Sequence, residues 1–241
     1  MVATVIGRGH SGTRAISRTL FESGFYMGAN LNGSGDLIPP FELYEACRVM
    51  APHVVHLGGT CWDFSKLHTM PIDPEFTRLV ESYLSSVLDS TSENKGWKLP
   101  ETTLILPWIV RMFPDIHYIY WTRDPRDSIR SDHLTDDLAD FGIPYEPTED
   151  LYQKRAISWQ YQYEIMRSTP SPANRIHLKV EDFVLDQRNT LDRLEEFLGL
   201  PMAKIPVKPE AVCRWKANDI KHDFDFFPVE ALYSGVIEID A

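Results

Sequence analysis

Residues 5–20, "VIGRGHSGTRAISRTL", decide how the rest of the chain is read. Thr4, Val5 and Ile6 favour extended backbone, Gly7, Gly9 and Gly12 follow at close intervals, and Ile16 and Leu20 recur on one helical face. The order is strand, glycine-rich turn, helix. Glycines at such a turn let the backbone curl round an anion with its N–H groups pointing inward. The helix start behind the turn adds N–H groups that have no partner within the helix.

Gly7 and Gly12 keep the G-x-x-x-x-G spacing of a nucleotide phosphate loop. In nucleotide hydrolases a lysine follows for the terminal phosphates, then a Ser or Thr for magnesium. Here those two places hold Thr13 and Arg14. The anion site is kept, and the magnesium–triphosphate machinery is not.

Beyond the loop, residues 25–50 read as an irregular glycine- and asparagine-rich crossing, with Pro39 or Pro40 opening a short helix through Arg48. "LGGTCWDFSKLHTMP" (57–71) reads as an aromatic loop suited to a lid or substrate rim, and residues 74–90 as a helix with Phe76, Leu79, Val80, Tyr83, Leu84 and Val87 on one side. "KGWKL" is a short buried strand, Pro100 to Phe113 a helix, and "IHYIYWTR" a strong strand. "DPRDSIRSDH" turns into another helix with Pro125 in its first turn. A long helix over about 149–167, the strand "RIHLKV" and a last helix stopped at Gly199-Leu200-Pro201 complete the order.

Strands alternating with helices predict a three-layer α/β fold: a parallel sheet with helices on both faces, of the P-loop nucleotide-hydrolase-like type. With 241 residues, 43% of them hydrophobic, one domain over residues 1–241 is expected. Ligands of such sheets bind at the carboxyl ends of the strands, so the segments after Ile6, Leu99 and Thr122 should open on one edge.

The net charge of −11 argues against nucleic acid or an anionic membrane as a partner, so any polyanion is met locally. Three scattered cysteines (Cys47, Cys61, Cys213) predict no disulfide framework and a reducing, cytoplasmic setting. No stretch reaches the length of a membrane span or has the pattern of a signal peptide. His53, His56 and Cys61 lack the further ligands that a metal site needs.

A second anion site lies in "WTRDPRDSIRSDH". Arg123 closes a strand, and Ser131 follows at the distance of a short turn plus two helical turns, which returns its hydroxyl to the same ligand. Arg offers a forked donor set matched to phosphate oxygens, and Ser a neutral donor.

With these two sites the chain resembles the sulfotransferases that use 3′-phosphoadenosine 5′-phosphosulfate. "GRGHSGTR" is similar to their 5′-phosphosulfate loop and "TRDPRDSIRS" to their R-(D/N)-x-x-D-x-x-x-S element for the 3′-phosphate. "LKVEDFVLDQRNTLDRLEEFLGL" is similar to their late strand, E-D-Φ and helix segment. The three fall in the family's order over residues 2–200. The resemblance implies that Arg8, Gly9, His10, Ser11, Gly12, Thr13 and Arg14 hold the 5′-phosphosulfate, and that Arg123 and Ser131 hold the 3′-phosphate.

It also implies a transfer that needs no metal, which explains why the loop has no lysine or magnesium-binding hydroxyl. His10 stands where the family carries Lys or Arg. Adjacent anions would favour its charged form, so it is read as a catalytic cation. Lys98, in "GWKLPET", is implied to meet the bridging and sulfonate oxygens as charge develops. The base is a carboxylate in the window after the loop, either Asp36 or Glu42. Tyr152, Trp159, Tyr161 and Tyr163 are candidates to stack the adenine. Lys208, Arg214 and Lys216 are candidates for a further contact to the 3′-phosphate. The function expected is sulfuryl transfer from this nucleotide donor to a hydroxyl acceptor. The alternatives are a P-loop nucleotide kinase and a non-catalytic nucleotide-binding protein.

Overall fold

The computed structural model describes residues 1–217. In chain order the elements are β1 (Val2–Ile6), α1 (Thr13–Glu22), α2 (Phe41–Met50), β2 (Val55–Gly58), β3 (Cys61–Asp63), α3 (Ser65–Thr69), α4 (Pro74–Leu88), β4 (Lys95–Lys98), α5 (Leu106–Met112), β5 (His117–Thr122), α6 (Pro125–Ser128), α7 (Leu151–Ser168), β6 (Arg175–Lys179), α8 (Val180–Leu185) and α9 (Gln187–Leu198). Strands β4, β1, β5 and β6 form one parallel sheet in that order, with Val5 opposite both Lys98 and Ile119.

The sheet is apolar on both faces. Along β5, Tyr118 and Tyr120 point into one core with α2, α4, α5 and α7, while Ile119 and Trp121 point into a second with α1, α8 and α9. This is the alternation of a strand buried on both sides. The fold is the expected P-loop-like α/β architecture in three layers. From β1 the chain runs out to the edge at β4 and returns past β1 to β5, so strand order reverses beside β1. Such a reversal opens a crevice at the carboxyl ends of the strands.

Two segments depart from expectation. Residues 57–71 are not an open rim: β2 and β3 pair as an antiparallel hairpin, and Trp62 and Phe64 are buried against Tyr161. Trp62 also donates its indole N–H to the Pro144 carbonyl at 2.7 Å, which folds the hairpin onto the body. The helix opened by Pro125 closes after one turn, at Ser128. The carbonyls that would carry it on are taken by arginine side chains: Ser128 O by Arg8, and Ile129 O and Arg130 O by Arg155. Ser131 therefore lies beyond the helix.

Candidate active site

Gly7 must be glycine because a Cβ there would lie 2.3 Å from the Trp121 carbonyl oxygen. This close approach lets β1 leave the sheet beside the end of β5. Gly12 takes φ 78° just before α1, in the left-handed region that glycine enters freely. No side chain caps α1, so its first N–H groups and the positive end of its dipole face the space above the sheet.

That space is a cavity of about 280 Å³. From the loop its wall takes Gly9, His10, Gly12, Thr13 and Arg14. The end of β4 supplies Lys98 and Pro100, the end of β5 Arg123, and more distant turns Ser34, Asp36 and His133. Segments that are remote in sequence are thus brought to one edge.

Lys98 is 1% exposed, and its ammonium donates to the Asp36 carboxylate and, at 2.8 Å, to the Ser34 carbonyl. The Asn32–Asp36 turn that presents these acceptors is itself braced. Asn32 Oδ1 accepts from the backbone of Ser34 and Asp36, and Asn32 Nδ2 donates to the second Asp36 oxygen at 2.8 Å. Arg14 reaches across to Ser34 Oγ at 3.0 Å. Burial pulls the Lys98 pKa below its ordinary value, and Asp36 resists that shift.

Arg123 donates to the His10 carbonyl at 3.0 Å, to Asp127 at 3.2 Å and to the Ala211 carbonyl, while its buried Nε has no partner among the described residues. Its backbone is aimed by Glu181, whose carboxylate accepts the Asp124 N–H at 3.0 Å. Asp127 also accepts from the backbone of Arg214 and Trp215, which folds the 209–217 segment over this end of the site. Arg214 lies within electrostatic reach of Arg123 and Arg130. Arg126 stacks 3.4 Å over the Trp215 ring.

Not every residue implied by the motifs reaches the cavity. Arg8 is 3% exposed and turned behind the loop, where it pairs with Asp136. Ser11 is buried too, its carbonyl holding the Trp121 indole N–H, and it faces a smaller pocket with the stacked pair Trp159 and Tyr163. Ser131 does not line the cavity, since the helix that should carry it ends early. Of the two carboxylates, Asp36 lines the cavity. Glu42 sits on the first turn of α2 within electrostatic reach of Arg78. Tyr161 belongs to the core. His10 is not biased toward a cation: burial, then Arg8, lowers its pKa. His56 Nε2 donates to the Gly59 carbonyl at 2.9 Å, and His53 packs on Trp108.

Two residues in or beside the site are given no role by the sequence: Glu101, an electrostatic neighbour of Lys98 and Asp36, and His133. Glu101 is 2% exposed beside Tyr44, and burial pushes its carboxyl up to about 7. His133 lines the cavity, and burial, with Arg8 and His10 nearby, pushes it down to about 4. Glu101 lies within "GWKLPET" and His133 ends "WTRDPRDSIRSDH", but neither holds a position to which those motifs give a role. Only the 3-10 turn Pro100–Ile105 and the turn after α6 bring them in.

A model of the sulfotransferase family matches residues 36–204, so the match begins at Asp36 and leaves the glycine loop outside it. Among solved structures, the chain is similar to the sulfotransferase domain from the curacin biosynthetic pathway, with 13% identity, TM-score 0.60 and 96% of each chain covered. It is also similar to the sulfotransferase domain of the Synechococcus PCC 7002 olefin synthase, with 12% identity, TM-score 0.59, and 98% of this chain and 94% of that one covered. At these identities the likeness is one of fold. No curated protein matches the sequence. Among the described residues no helix is long and apolar enough to cross a membrane.

Proposed function

The chain belongs to the sulfotransferase family, and on that footing we propose that it moves a sulfuryl group from 3′-phosphoadenosine 5′-phosphosulfate to a hydroxyl-bearing small molecule without a metal. The observation that carries this reading is the Lys98–Asp36 pair on the cavity wall, with the uncapped start of α1 on one side and Arg123 on the other. A cradle of N–H groups suits the 5′-side anion, and the half-engaged guanidinium of Arg123, with its orphaned Nε, suits the 3′-phosphate. Arg214 supplies a further cation there.

In the reaction an acceptor oxygen bonds to sulfur as the sulfur–oxygen bond to the 5′-phosphate breaks, and the acceptor proton passes to a base. Asp36 is that base in this reading, because it is the one of the two candidate carboxylates that faces the cavity. Its carboxylate is occupied by Lys98 in the free protein. An anion at the loop draws the ammonium toward itself, which releases the carboxylate for the acceptor hydroxyl and places the positive charge where negative charge develops. The three unpaired cysteines support a cytoplasmic setting.

Thermal unfolding with added nucleotides tests the reading. Adenosine 3′,5′-bisphosphate should stabilise the protein without added metal, by about 2.7 kcal/mol at 100 times its Kd, and AMP should do less. Equal shifts with AMP would remove the 3′-phosphate site, and a response to ATP only with Mg²⁺ would make the protein a kinase.

A further inference from the structure

His133 stands at the glycine loop on a support that reaches through three elements. Its ring lies flat against Gly9: a Cβ at that glycine would be 2.0 Å from Cδ2 and 2.2 Å from Nε2 of the imidazole. The His10 ring meets it edge-on, with centroids 5.7 Å apart. The backbone N–H of His133 donates to Asp136 at 2.7 Å, and the other Asp136 oxygen takes the buried Arg8 guanidinium. The turn is also tied to α7, where Ser158 donates to the Thr135 carbonyl at 2.7 Å.

The tautomer of the ring follows from its partners. Gln162, 2% exposed, donates its amide to Thr135 Oγ1 at 3.2 Å, which leaves the hydroxyl proton free for His133 Nδ1 at 3.0 Å. The Thr135 backbone N–H points at the same nitrogen from 3.3 Å. With two donors aimed at it, Nδ1 is an acceptor, and the ring proton sits on Nε2. Nε2 has no hydrogen-bond partner among the described residues, and His133 lines the cavity.

We propose that His133 is a binding residue of the donor site, its neutral imidazole giving the Nε2–H to the 5′-side anion cradled by Gly9–Arg14, and that Thr135 and Gln162 are the positioning residues that hold this tautomer. The inference rests on the reading of the cavity as a phosphosulfate-donor site. It supplies what the loop lacks. Where Lys or Arg is absent, a fixed dipole stands beside the anion, and it costs no charge burial and no reorganisation. The charged groups facing the ring are Arg8 from the exit of β1, His10 from the loop, Asp136 from its own turn and Asp36 from the turn before α2. In the free protein the acids do not outweigh burial and the two basic neighbours, which hold the ring's pKa down at about 4.

The test is calorimetric binding of adenosine 3′,5′-bisphosphate and of adenosine 3′-monophosphate to the full chain and to His133→Leu and His133→Gln. The leucine variant should bind the bisphosphate about ten- to hundred-fold more weakly, the size of a lost hydrogen bond to a charged group, and the 3′-monophosphate as before. Glutamine, whose amide N–H can stand near the Nε2 position, should recover most of the loss. Thr135→Val should shift wild-type imidazole ¹⁵N resonances away from a pure Nε2–H pattern. If the leucine variant does not fold, the wild-type ring decides: an Nε2 resonance that moves on adding bisphosphate supports the assignment, and an Nδ1–H tautomer or an unmoved resonance overturns it. Bisphosphate binding that is unchanged in a folded leucine variant overturns the inference and leaves the donor site standing. Failure of the wild type to bind bisphosphate at all overturns the donor site itself, and the inference with it.

Discussion

Arg8 and Lys98 leave neighbouring parallel strands at the same edge of the sheet, each buried against one aspartate, yet the two pairs do different things. Arg8 does not line the larger cavity. It also donates to the Gly9 carbonyl at 3.0 Å and the Ser128 carbonyl at 3.1 Å, and its partner Asp136, 6% exposed, is taken up by the His133 backbone. Lys98 is just as buried, but its partner Asp36 is 14% exposed, and both border the cavity. An ion pair that water and ligand cannot reach is a strut, whereas one on a cavity wall can exchange a partner for a ligand. Burial of the cation does not separate the two cases; access to its carboxylate does.

The largest effect expected is on the closed pair. Arg8→Met leaves Asp136 buried without its counter-charge and should cost about 3–5 kcal/mol of stability in urea unfolding. Lys98→Met should cost well under half as much, because solvent can reach Asp36. Equal losses would break the comparison. Next in size is the open pair in catalysis. Lys98→Met should cut sulfuryl transfer roughly 10²- to 10³-fold and leave adenosine 3′,5′-bisphosphate binding within a few-fold, since that nucleotide lacks the sulfonate. A parallel loss of both would make Lys98 a strut as well.

At the far end of the cavity, Arg123→Ala should weaken bisphosphate binding by about 1.5–3 kcal/mol in calorimetry. Arg126→Ala should cost less, because that guanidinium is spent on Trp215 and Asp124. Similar losses would move the 3′-phosphate toward Arg126.

The two sides should also answer pH with opposite signs. His133, pushed down to about 4, refuses a proton that the unfolded chain accepts, so its contribution is complete above about 6.5 and is lost as pH falls toward 4. Glu101, on the Lys98 side and pushed up to about 7, holds a proton that the unfolded chain gives up, so its contribution is complete below about 4.5 and is lost as pH rises through 7. Each slope is at most about 1.4 kcal/mol per pH unit. Urea unfolding at pH 5, 6 and 7 should show His133→Gln removing the rise and Glu101→Gln removing the fall. The same sign for both would erase the contrast. The smallest effect is reserved for Glu42→Gln, which should change stability by no more than about 0.5 kcal/mol and leave turnover within a few-fold. A loss of transfer there, with Asp36→Asn active, would exchange the base.

Much of this arrangement is legible in the chain itself, and the reasons are local. Glycine spacing after an apolar run specifies a turn whose N–H groups face inward, whatever surrounds it. The tyrosine–isoleucine–tyrosine–tryptophan alternation of β5 specifies a strand covered on both faces. Six apolar positions of α4 at helical spacing are all buried where the periodicity puts them. The positions of Lys98 and Arg123 follow because each ends such a strand.

Tertiary structure alone decided the rest, because those questions turn on what approaches from far along the chain. Arg8 looks like an anion ligand until Asp136 is seen to claim it from 128 residues away. Ser131 looks like a phosphate contact until arginine side chains take the carbonyls that would have continued its helix. Asp36 and Glu42 are equal by sequence. They separate because the Asn32–Asp36 turn folds over the end of β4, while α2 carries Glu42 elsewhere. His133 ends the stretch "WTRDPRDSIRSDH" but holds no position to which that motif gives a role. Its place depends on Arg8, Thr135 and Gln162 meeting at one turn, and backbone propensity, which acts over a few residues, contains no information about such a meeting.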